Sequence, residues 1–336
     1  MSMQQRRVGA FKVSALGYGC MNLSHAYGAP PTPEAAEKLL LKALDLGINF
    51  FDTAALYGYG VNEQLVGRTL KPHRSKIMLA SKCGIFKNDE GKRVINGRPE
   101  VLKRTCEDSL KRLQTEVIDL YYLHRWDKQV PIEESVGALA DLVRAGKIRS
   151  IGLSEVSAAT LRKAHAEHPI AALQSEYSLW TRNPEIAVLE ACKQLGVAFV
   201  AFSPLARGFL TGKLHDPATQ LETGDIRLGM PRFAPENYTR NLALLLEYRQ
   251  IADAAACSMA QLALAWVLAK QPFIVPIFGT RQLEYLEENA GGAAVKLSPS
   301  IVERLDALIN QRTVAGPRYS AATQLEIDTE IFPDAT

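Results

Sequence analysis

The sequence predicts a parallel (β/α)8 barrel, and three observations lead to this prediction. Strand-like and helix-like segments alternate along the chain, which is typical of a parallel sheet covered by helices. Eight such units occupy roughly 300 of the 336 residues, a length that suits a closed barrel better than an open, doubly wound sheet. No strand is followed by the glycine fingerprint G-x-G-x-x-G, so the alternation does not indicate a separate Rossmann-type domain.

Eight short apolar runs are predicted to be the barrel strands. They cover residues 14–17, 48–51, 77–81, 117–123, 148–153, 171–174, 197–202 and 273–277. Each run is followed by a segment with apolar residues at helical spacing, which predicts an amphipathic helix. The carboxyl ends of all eight strands would therefore meet at one rim, where barrels of this class carry their functional residues.

The helices are predicted from their end signals as well as from periodicity. In the first helix, Thr32 is the expected N-cap, Pro33 the first helical residue and Gly47 the stop. The seventh helix begins with a capping box formed by Ser258 and Gln261. The other helices are predicted at 62–70, 99–113, 133–145, 157–166, 185–195 and 281–289, and the seventh spans 259–270.

Segments outside the repeating units are predicted to lie at the two ends of the barrel. Residues 8–13 are expected to pair as a small hairpin across the bottom. Two long insertions, 83–98 and 207–240, follow strands and would therefore rise over the functional rim. The tail, 312–336, lacks periodicity and either folds over the rim or is mobile. We interpret residues 1–336 as one domain with its core at about 7–310.

Composition and charge exclude several classes of protein. A net charge of +3 leaves no dense basic stripe of the kind that a dedicated nucleic-acid binder needs. The five cysteines form neither a CxxC pair nor a zinc-binding spacing, so we expect reduced thiols, a cytoplasmic protein and no metal. We find neither a signal peptide nor an apolar run of membrane-spanning length, and therefore expect no membrane partner. The sequence does not indicate an oligomeric state.

Four chemically different side chains stand at the ends of three successive predicted strands. Asp52 and Tyr57 follow the second strand, Lys82 the third and His124 the fourth. Reducing a carbonyl needs a proton at oxygen, and Tyr57 could donate it if Lys82 lowers its pKa from about 10. Asp52 would keep Lys82 charged, and His124 would orient the carbonyl oxygen. Each residue alone has an ordinary structural explanation, but their joint position predicts a proton-donating site.

The chain also resembles the aldo-keto reductases over nearly its whole length. The motifs that carry the resemblance occur in order and at the family's spacing: GCM at 19–21, FDTA at 51–54, YG at 57–58, NE at 62–63, SK at 81–82, YLHR at 122–125, GLS at 152–154, QSEY at 174–177, SPL at 203–205, GTR at 279–281 and EN at 288–289. HAYG at 25–28 and EYSLW at 176–180 are most similar to the bacterial and plant branch. The resemblance implies an NADPH-dependent carbonyl reductase in which Tyr57 is the acid.

The resemblance also implies where NADP(H) would lie across the barrel mouth. Its amide would lie against Ser154 and Gln174, and the loop 203–213 would cover its pyrophosphate. The family commonly has Asn after Ser154, but this chain has Glu155, whose ionised carboxylate cannot donate to an amide oxygen. Phe202 either lines the cofactor bed or is a core aromatic. The implied cofactor contacts are Gly19, Cys20, Met21, Ser154, Gln174, Phe202, Ser203, Pro204, Leu205, Arg207, Gly208, Lys213, Gly279, Thr280, Arg281, Glu288 and Asn289.

A basic residue near the last predicted helix favours NADP(H) over NAD(H). The segment 279–281 opens the helix predicted at 281–289, and a helix N-terminus offers free N–H groups to phosphate. Arg281 adds a forked donor that suits a 2′-phosphate. Some family members carry a second basic residue four positions further on, where this chain has Tyr285. The predicted preference for NADP(H) therefore depends on Arg281.

The substrate is expected to be a small carbonyl compound in a largely aromatic pocket. The predicted walls are Tyr27, Phe86, Arg125, Trp126 and Trp180, because all follow strand ends. Arg125 has two interpretations at this stage: it binds a substrate carboxylate, or it pairs with Asp127 as an ordinary exposed ion pair.

Two other functions are open to the same residues. A Schiff-base lyase would use Lys82 as its nucleophile, although Asp52 beside it would keep the amine protonated. An NADP(H)-binding barrel that reports redox state to a partner would carry the same four residues with little turnover. Turnover with aldehydes distinguishes the reductase from the reporter, and borohydride trapping distinguishes it from the lyase.

Overall fold

The computed structural model describes residues 3–88 and 90–333. Twelve strands lie within these residues: β1 (Gln5–Val8), β2 (Phe11–Ser14), β3 (Gly17–Gly19), β4 (Phe50–Asp52), β5 (Met78–Cys83), β6 (Ile85–Lys87), β7 (Arg93–Ile95), β8 (Leu120–Leu123), β9 (Ile151–Ser154), β10 (Ile170–Glu176), β11 (Ala198–Phe202) and β12 (Ile274–Phe278). Eight of them form a closed parallel barrel in the order β3-β4-β5-β8-β9-β10-β11-β12. This confirms the predicted (β/α)8 barrel.

Helices cover the outside of the barrel and parts of its rim. The α-helices of the described residues are α1 (Pro33–Asp45), α2 (Val61–Leu70), α3 (Pro99–Leu113), α4 (Ile132–Arg144), α5 (Ala158–Glu167), α6 (Val188–Leu195), α7 (Pro217–Gln220), α8 (Pro235–Leu242), α9 (Leu244–Ala254), α10 (Met259–Lys270), α11 (Leu283–Gly291), α12 (Pro299–Leu308) and α13 (Ala321–Gln324). The predicted end signals work as expected. Thr32 accepts a hydrogen bond from the Ala35 N–H, and Ser258 and Gln261 form the capping box of α10.

The first barrel strand is displaced from its predicted position. The sequence placed it at 14–17, but Phe11–Ser14 pairs with Gln5–Val8 in the hairpin, and β3 begins at Gly17. The chain bends between the two strands, where the Ser14 hydroxyl donates to the Leu16 carbonyl and the Ser14 N–H donates to Asn49 Oδ1. The predicted hairpin therefore exists, but it starts three residues earlier and includes Ser14.

The barrel has one apolar core inside it and another outside it. Side chains of the hairpin, including Val8 and Val13, pack with Phe50, Met78 and Leu120 in the inner cluster. The hairpin thereby closes the bottom of the barrel. A larger cluster lies between the outer faces of the strands and the helices. The bottom and the wall are thus filled, which leaves the carboxyl-end rim for a site.

The two insertions and the tail all lie over this rim. Residues 83–98 include the antiparallel pair β6–β7. Residues 207–240 form short helical turns, and the Ile226 N–H donates to the Ala26 carbonyl at 2.9 Å across the mouth. The tail folds back on the barrel, where Asp328 accepts hydrogen bonds from Ser157 and Thr160. Of the two alternatives for the tail, the structure shows the folded one.

Two further findings concern the helices: two of them were not predicted, and none spans a bilayer alone in the described part of the chain. Helices α9 and α12 pack against each other outside the repeating units. In the described part of the chain, no single helix is long and apolar enough to cross a bilayer. One bent pair, Pro235–Ala254 with Met259–Lys270, reaches that length and composition only when its two arms, bent by 80°, are taken together.

Candidate active site

The barrel strands bring the four predicted catalytic residues to one point of the rim. Asp52 ends β4, and Lys82 lies one residue before the end of the neighbouring strand β5. His124 follows β8, whose register places Tyr122 opposite Lys82. Tyr57 begins a short 3-10 turn directly after the β4 loop. Three adjacent parallel strands therefore deliver four different functional groups to the same end of the barrel.

Lys82 is the centre of a buried polar chain. Its Nζ donates to Asp52 Oδ1, to the Thr53 carbonyl oxygen at 2.8 Å and to the Tyr57 hydroxyl oxygen at 3.2 Å. These three bonds use all three donors of the ammonium group. Gln174 Nε2 donates to the other Asp52 oxygen at 2.8 Å. The chain Gln174–Asp52–Lys82–Tyr57 is thus fixed at each step, and the phenol stands at its end.

The electrostatics of this chain differ in one respect from the prediction. Burial alone would lower the pKa of Lys82, but Asp52 and Tyr57 outweigh it, so the pKa is raised and the ammonium form is held. Burial raises the pKa of Tyr57, and Lys82 opposes this rise without cancelling it. Lys82 thus lowers the pKa of Tyr57 as expected, but burial has the larger effect and the net shift is upward. Tyr57 holds its proton firmly, and Lys82 limits the cost of releasing it.

Two histidines lie against the Tyr57 ring. His124 meets the ring edge-on with centroids 5.9 Å apart, and His25 stacks on it at 6.0 Å. Burial, followed by the positive charges of Arg125 and Lys82, holds the pKa of His124 well below its usual range, so the imidazole is neutral. Within the described residues, His124 Nδ1 has no hydrogen-bond partner. His124 is therefore a neutral polar group beside the Tyr57 ring.

His25 was not among the predicted site residues. Its sequence signal was present, because it lies in the loop after the first barrel strand and hence at the same rim. Burial lowers the pKa of His25, with a contribution from Arg93, so this imidazole also favours the neutral form. Its stacking against Tyr57 fixes one face of the phenol ring.

A cavity of about 840 Å³ extends from this cluster across the barrel mouth. Its walls include Asp52, Tyr57 and His124 and, across the mouth from His124, Arg281, Tyr285 and Asn289 from the segment after β12. Of the predicted cofactor residues, all except Cys20 line the cavity. The Cys20 side chain is fully buried, with its Sγ 3.8 Å from the Tyr18 carbonyl oxygen. Cys20 is therefore a core residue beneath the cavity floor.

The loop after β11 has a strained backbone where it borders the cavity. Ser203, Ala206 and Arg207 have φ values of 51°, 50° and 56°, in the left-handed region that non-glycine residues seldom adopt. Gly208 continues the turn at φ 95°. Such conformations persist only where the surrounding structure imposes them, and they concentrate at functional sites. The loop from Ser203 to Lys213 thus presents a fixed backbone surface to the cavity, and its contact with a pyrophosphate stays a prediction.

The far end of the cavity carries groups suited to an anionic ligand. Helix α11 begins at Leu283 rather than at 281, so Arg281 lies before the helix, where it donates to the Ala29 carbonyl. Lys213 Nζ lies 3.7 Å from the centroid of the Tyr285 ring and 3.1 Å from Glu288 Oε2. The ammonium of Lys213 thus lies over Tyr285, which occupies the position of the second basic residue in some family members.

Glu155 lies in a buried ionic cluster that the sequence did not reveal. Arg318 from the tail donates to Glu155 at 2.9 Å and to Glu176 at 3.0 Å, and Arg207 donates to Glu176 at 2.7 Å. Burial would raise the pKa of Glu176, but Arg207 and Arg318 outweigh burial and lower it to about 2. Glu155 therefore anchors the tail. The two Arg318 contacts span 142 and 163 residues, so no local sequence pattern predicts them.

The predicted substrate walls are only partly where they were expected. Tyr27 and Arg125 line the cavity, whereas Phe86, Trp126 and Trp180 do not. Phe86 belongs to the outer hairpin β6–β7, and the Trp126 indole donates to the Val130 carbonyl at 2.9 Å. Trp180 is buried against Phe209 of the long insertion, with centroids 4.2 Å apart. Local contacts thus hold Phe86 and Trp126 away from the pocket, whereas Trp180 is held by an aromatic partner from a distant segment.

The tail supplies cavity walls in their place. Tyr319, Ser320, Thr323 and Glu326 all line the cavity, and none was predicted. No group of three or more possible metal ligands occurs among residues 3–88 and 90–333.

A sequence model described as the aldo/keto reductase family matches residues 15–310. The chain belongs to the aldo/keto reductase family. Its four-residue cluster and both ends of the cavity lie within the matched region. The walls contributed by the tail lie beyond it, and so does Arg318.

Relatives match over nearly the full length of this family member. The aldo-keto reductase yakc [NADP(+)] of Schizosaccharomyces pombe is 42% identical over 99% of this chain and 100% of its own. The probable aldo-keto reductase 1 of Glycine max is 44% identical over 92% of this chain and 89% of its own. Among solved structures, a glycerol dehydrogenase of Gluconobacter oxydans superposes with a TM-score of 0.85 at 29% identity, over 94% of this chain and 98% of that one. A Klebsiella pneumoniae aldo/keto reductase in complex with NADP and acetate superposes with a TM-score of 0.72 at 26% identity, over 95% of this chain and 99% of that one.

Proposed function

We propose that the protein reduces aldehydes or ketones to alcohols with NADPH and that Tyr57 is the proton donor. The observation that carries this proposal is the buried chain from Gln174 through Asp52 and Lys82 to Tyr57, which ends in a phenol at the cavity wall. A fixed acid beside a neutral imidazole suits a reaction in which negative charge develops on a carbonyl oxygen.

The cavity has the dimensions and groups that NADP(H) requires. At about 840 Å³ it lies within the range of cofactor sites, and its two ends differ in chemistry as the two ends of the cofactor do. Asn289 lines the cavity, and its buried Oδ1 has no hydrogen-bond partner in the described chain, so this oxygen could accept a hydrogen bond from the cofactor. Arg281 and Lys213 would hold the phosphates, while Ser154 and Gln174 would hold the amide. NADP(H) in related proteins is consistent with this assignment.

Each catalytic residue has a distinct role in the proposed reaction. NADPH, when held by the residues named above, would supply the hydride for the carbonyl carbon. His124 donates a hydrogen bond that directs the carbonyl oxygen toward the Tyr57 hydroxyl. Tyr57 then transfers its proton to that oxygen, and the ammonium of Lys82 stabilises the phenolate that remains. Asp52 keeps Lys82 charged and in place.

The same geometry disfavours a Schiff-base lyase. A nucleophilic lysine needs an unprotonated amine, but Asp52 and Tyr57 raise the pKa of Lys82 and all three of its donors have partners. The side chain is also buried and does not line the cavity. A carbonyl in the cavity would meet Tyr57 before it could reach Lys82.

The test is NADPH oxidation, followed by its loss of absorbance, with a panel of aldehydes and ketones and with NADH in parallel. We expect turnover with NADPH that falls by roughly a hundredfold or more in Tyr57→Phe, which removes only the hydroxyl. Turnover that Tyr57→Phe leaves unchanged would refute catalysis at this site. NADPH binding without turnover of any carbonyl would favour the redox-reporting alternative. The cysteine pattern supports a cytoplasmic setting, which cell fractionation would test.

A further inference from the structure

Arg125 is a cation of the cavity wall that has no carboxylate partner in the described chain. It directly follows His124 and lines the cavity. Its Nη1 donates to the His124 carbonyl at 2.7 Å and to the Ser154 hydroxyl at 3.2 Å, and both acceptors are uncharged. Its Nε is buried and, within residues 3–88 and 90–333, has no hydrogen-bond partner. The alternative expectation of a pair with Asp127 is wrong, since Asp127 accepts from the backbone of Gly97 and Gln129 instead.

Of the four other arginines that line the cavity among the described residues, Arg281 also lacks a carboxylate partner, but it follows β12, across the barrel mouth from Arg125. The other three each have a carboxylate at 2.7 Å: Arg93 with Glu326, Arg207 with Glu176, and Arg227 with Asp225. A guanidinium that is partly withdrawn from water and lacks a counter-ion is costly to keep. Its planar fork of five N–H groups matches the two oxygens of a carboxylate. Arg125 thus has unused donors of the kind that recognise a carboxylate.

The position of Arg125 separates it from the phosphate end of the cavity. β8 and β12 lie four strands apart in the barrel order, so Arg281 and the start of α11 stand across the mouth from Arg125, which follows β8 directly after His124. The charge of Arg125 acts on both His124 and Tyr57: after burial it lowers the pKa of His124 further, and it opposes the rise that burial causes in the pKa of Tyr57. An anion bound by Arg125 would therefore belong to the molecule whose carbonyl meets Tyr57, a few bonds from the reacting carbon.

We propose that Arg125 binds the carboxylate of the substrate and that the preferred substrates are oxo acids, in which the aldehyde or ketone and the carboxylate occur in one small molecule. This assignment rests on the proposed reductase function. The fork of Arg125 and the Tyr57–His124 pair would hold the two ends of such a substrate. The fixed distance between them then orients the carbonyl.

The experiment compares each acid with its own methyl ester. The pairs are succinate semialdehyde with methyl 4-oxobutanoate, and 3- or 4-carboxybenzaldehyde with the methyl formylbenzoates. We expect kcat/KM of the wild type to favour the acid at least tenfold. Arg125→Met keeps the length of the stem without the charge, and we expect it to reduce this acid-to-ester ratio by roughly 10- to 100-fold, mainly through KM. Arg125→Lys keeps the charge but loses the fork, so it should recover only part of the ratio.

Arg93→Met is the matched control, because it removes a cavity arginine that already has a carboxylate partner. Its acid-to-ester ratio should stay within about twofold of the wild type on that ground. NADPH binding and the thermal midpoint verify that each variant is folded. As a second measurement, benzoate should inhibit reduction of the uncharged esters, and Arg125→Met should weaken this inhibition at least tenfold.

Three outcomes would overturn the assignment of Arg125. In the first, Arg125→Met reduces kcat/KM equally for acid and ester. In the second, Arg93→Met changes the acid-to-ester ratio as much as Arg125→Met does. In the third, the wild type reduces the esters but shows neither a preference for the acids nor inhibition by benzoate. In all three, the proposed reductase function survives. No NADPH oxidation with any acid or ester would instead refute the reductase function and, with it, the substrate assignment.

Discussion

Replacing Lys82 with Met tests the centre of the proposed mechanism. The substitution keeps the approximate volume of the side chain but removes the charge 3.2 Å from the Tyr57 hydroxyl. Two unit charges at that distance attract by about 5 kcal/mol at an effective dielectric constant of about 20. If Tyr57 has released between half and all of its proton in the transition state, the loss is roughly 2.5 to 5 kcal/mol. We therefore expect the chemical step to slow by roughly a hundred- to several-thousand-fold.

The assay is single-turnover loss of NADPH absorbance, because release steps can limit kcat. NADPH affinity should stay within a few-fold, since Lys82 does not line the cavity. If both residues serve one proton transfer, adding Tyr57→Phe should slow the reaction little further. A slowing of less than about tenfold, or fully multiplicative effects of the two substitutions, would refute the reasoning.

Lys82→Met also leaves Asp52 buried without its counter-ion, which is expected to cost about 3 to 5 kcal/mol of folding free energy. A second substitution, Asp52→Asn, removes this orphan charge and separates stability from catalysis. We expect the double variant to regain much of the thermal midpoint that Lys82→Met loses and none of its lost rate. If the rate returned together with stability, Lys82 would be a structural residue and its proposed action on Tyr57 would be excluded.

Three further predictions concern charge. Arg281→Ala should weaken NADPH binding at least tenfold in a fluorescence titration and leave NADH within about twofold, because only NADPH carries the 2′-phosphate; equal weakening of both would contradict the assignment. The pKa of His124 is lowered on folding, so the unfolded chain binds more protons near its ordinary 6.5, and stability should fall as pH drops below that value. His124→Gln should flatten this dependence in thermal melts between about pH 5 and 7.5, and an unchanged slope would count against a buried neutral imidazole. The pKa of Glu176 falls from 4.5 to about 2, so its contribution of about 3 kcal/mol is complete above pH 4.5 and is lost as pH falls toward 2. Glu176→Gln should lower the neutral-pH midpoint and remove that acid dependence, and a midpoint equal to the wild type would show that Arg207 and Arg318 do not need this carboxylate.

The elevated pKa of Tyr57 has a consequence for how the site would work. Burial outweighs the effect of Lys82, so the protonated phenol is the favoured form of Tyr57. Tyr57 would therefore be protonated before the carbonyl substrate binds. The role of Lys82 is best described as stabilising the phenolate during proton transfer. The pKa in the complex depends on the charge that a bound ligand adds.

The order of strands and helices was legible in the sequence because each is fixed by local spacing. Alternating apolar runs, Thr32 before Pro33, and the Ser258–Gln261 pair all act within a few residues. The position of Asp52, Lys82 and His124 at one rim then followed from the rule that parallel barrel strands share an end. The displaced first strand shows the limit of local signals. Ser14 joins the hairpin through contacts with Asn49, which lies 35 residues away.

The sequence by itself thus determined the barrel, the identity of its four catalytic candidates and the rim on which they lie. Only the tertiary structure decided which aromatic residues leave the pocket, how the tail enters it, and how burial shifts each charge. Trp180 lies outside the pocket because Phe209 of a distant insertion stacks on it, and Glu155 has a structural role because Arg318 pairs with it. These outcomes depend on distances and desolvation between segments far apart in the chain. Local spacing carries no information about either quantity.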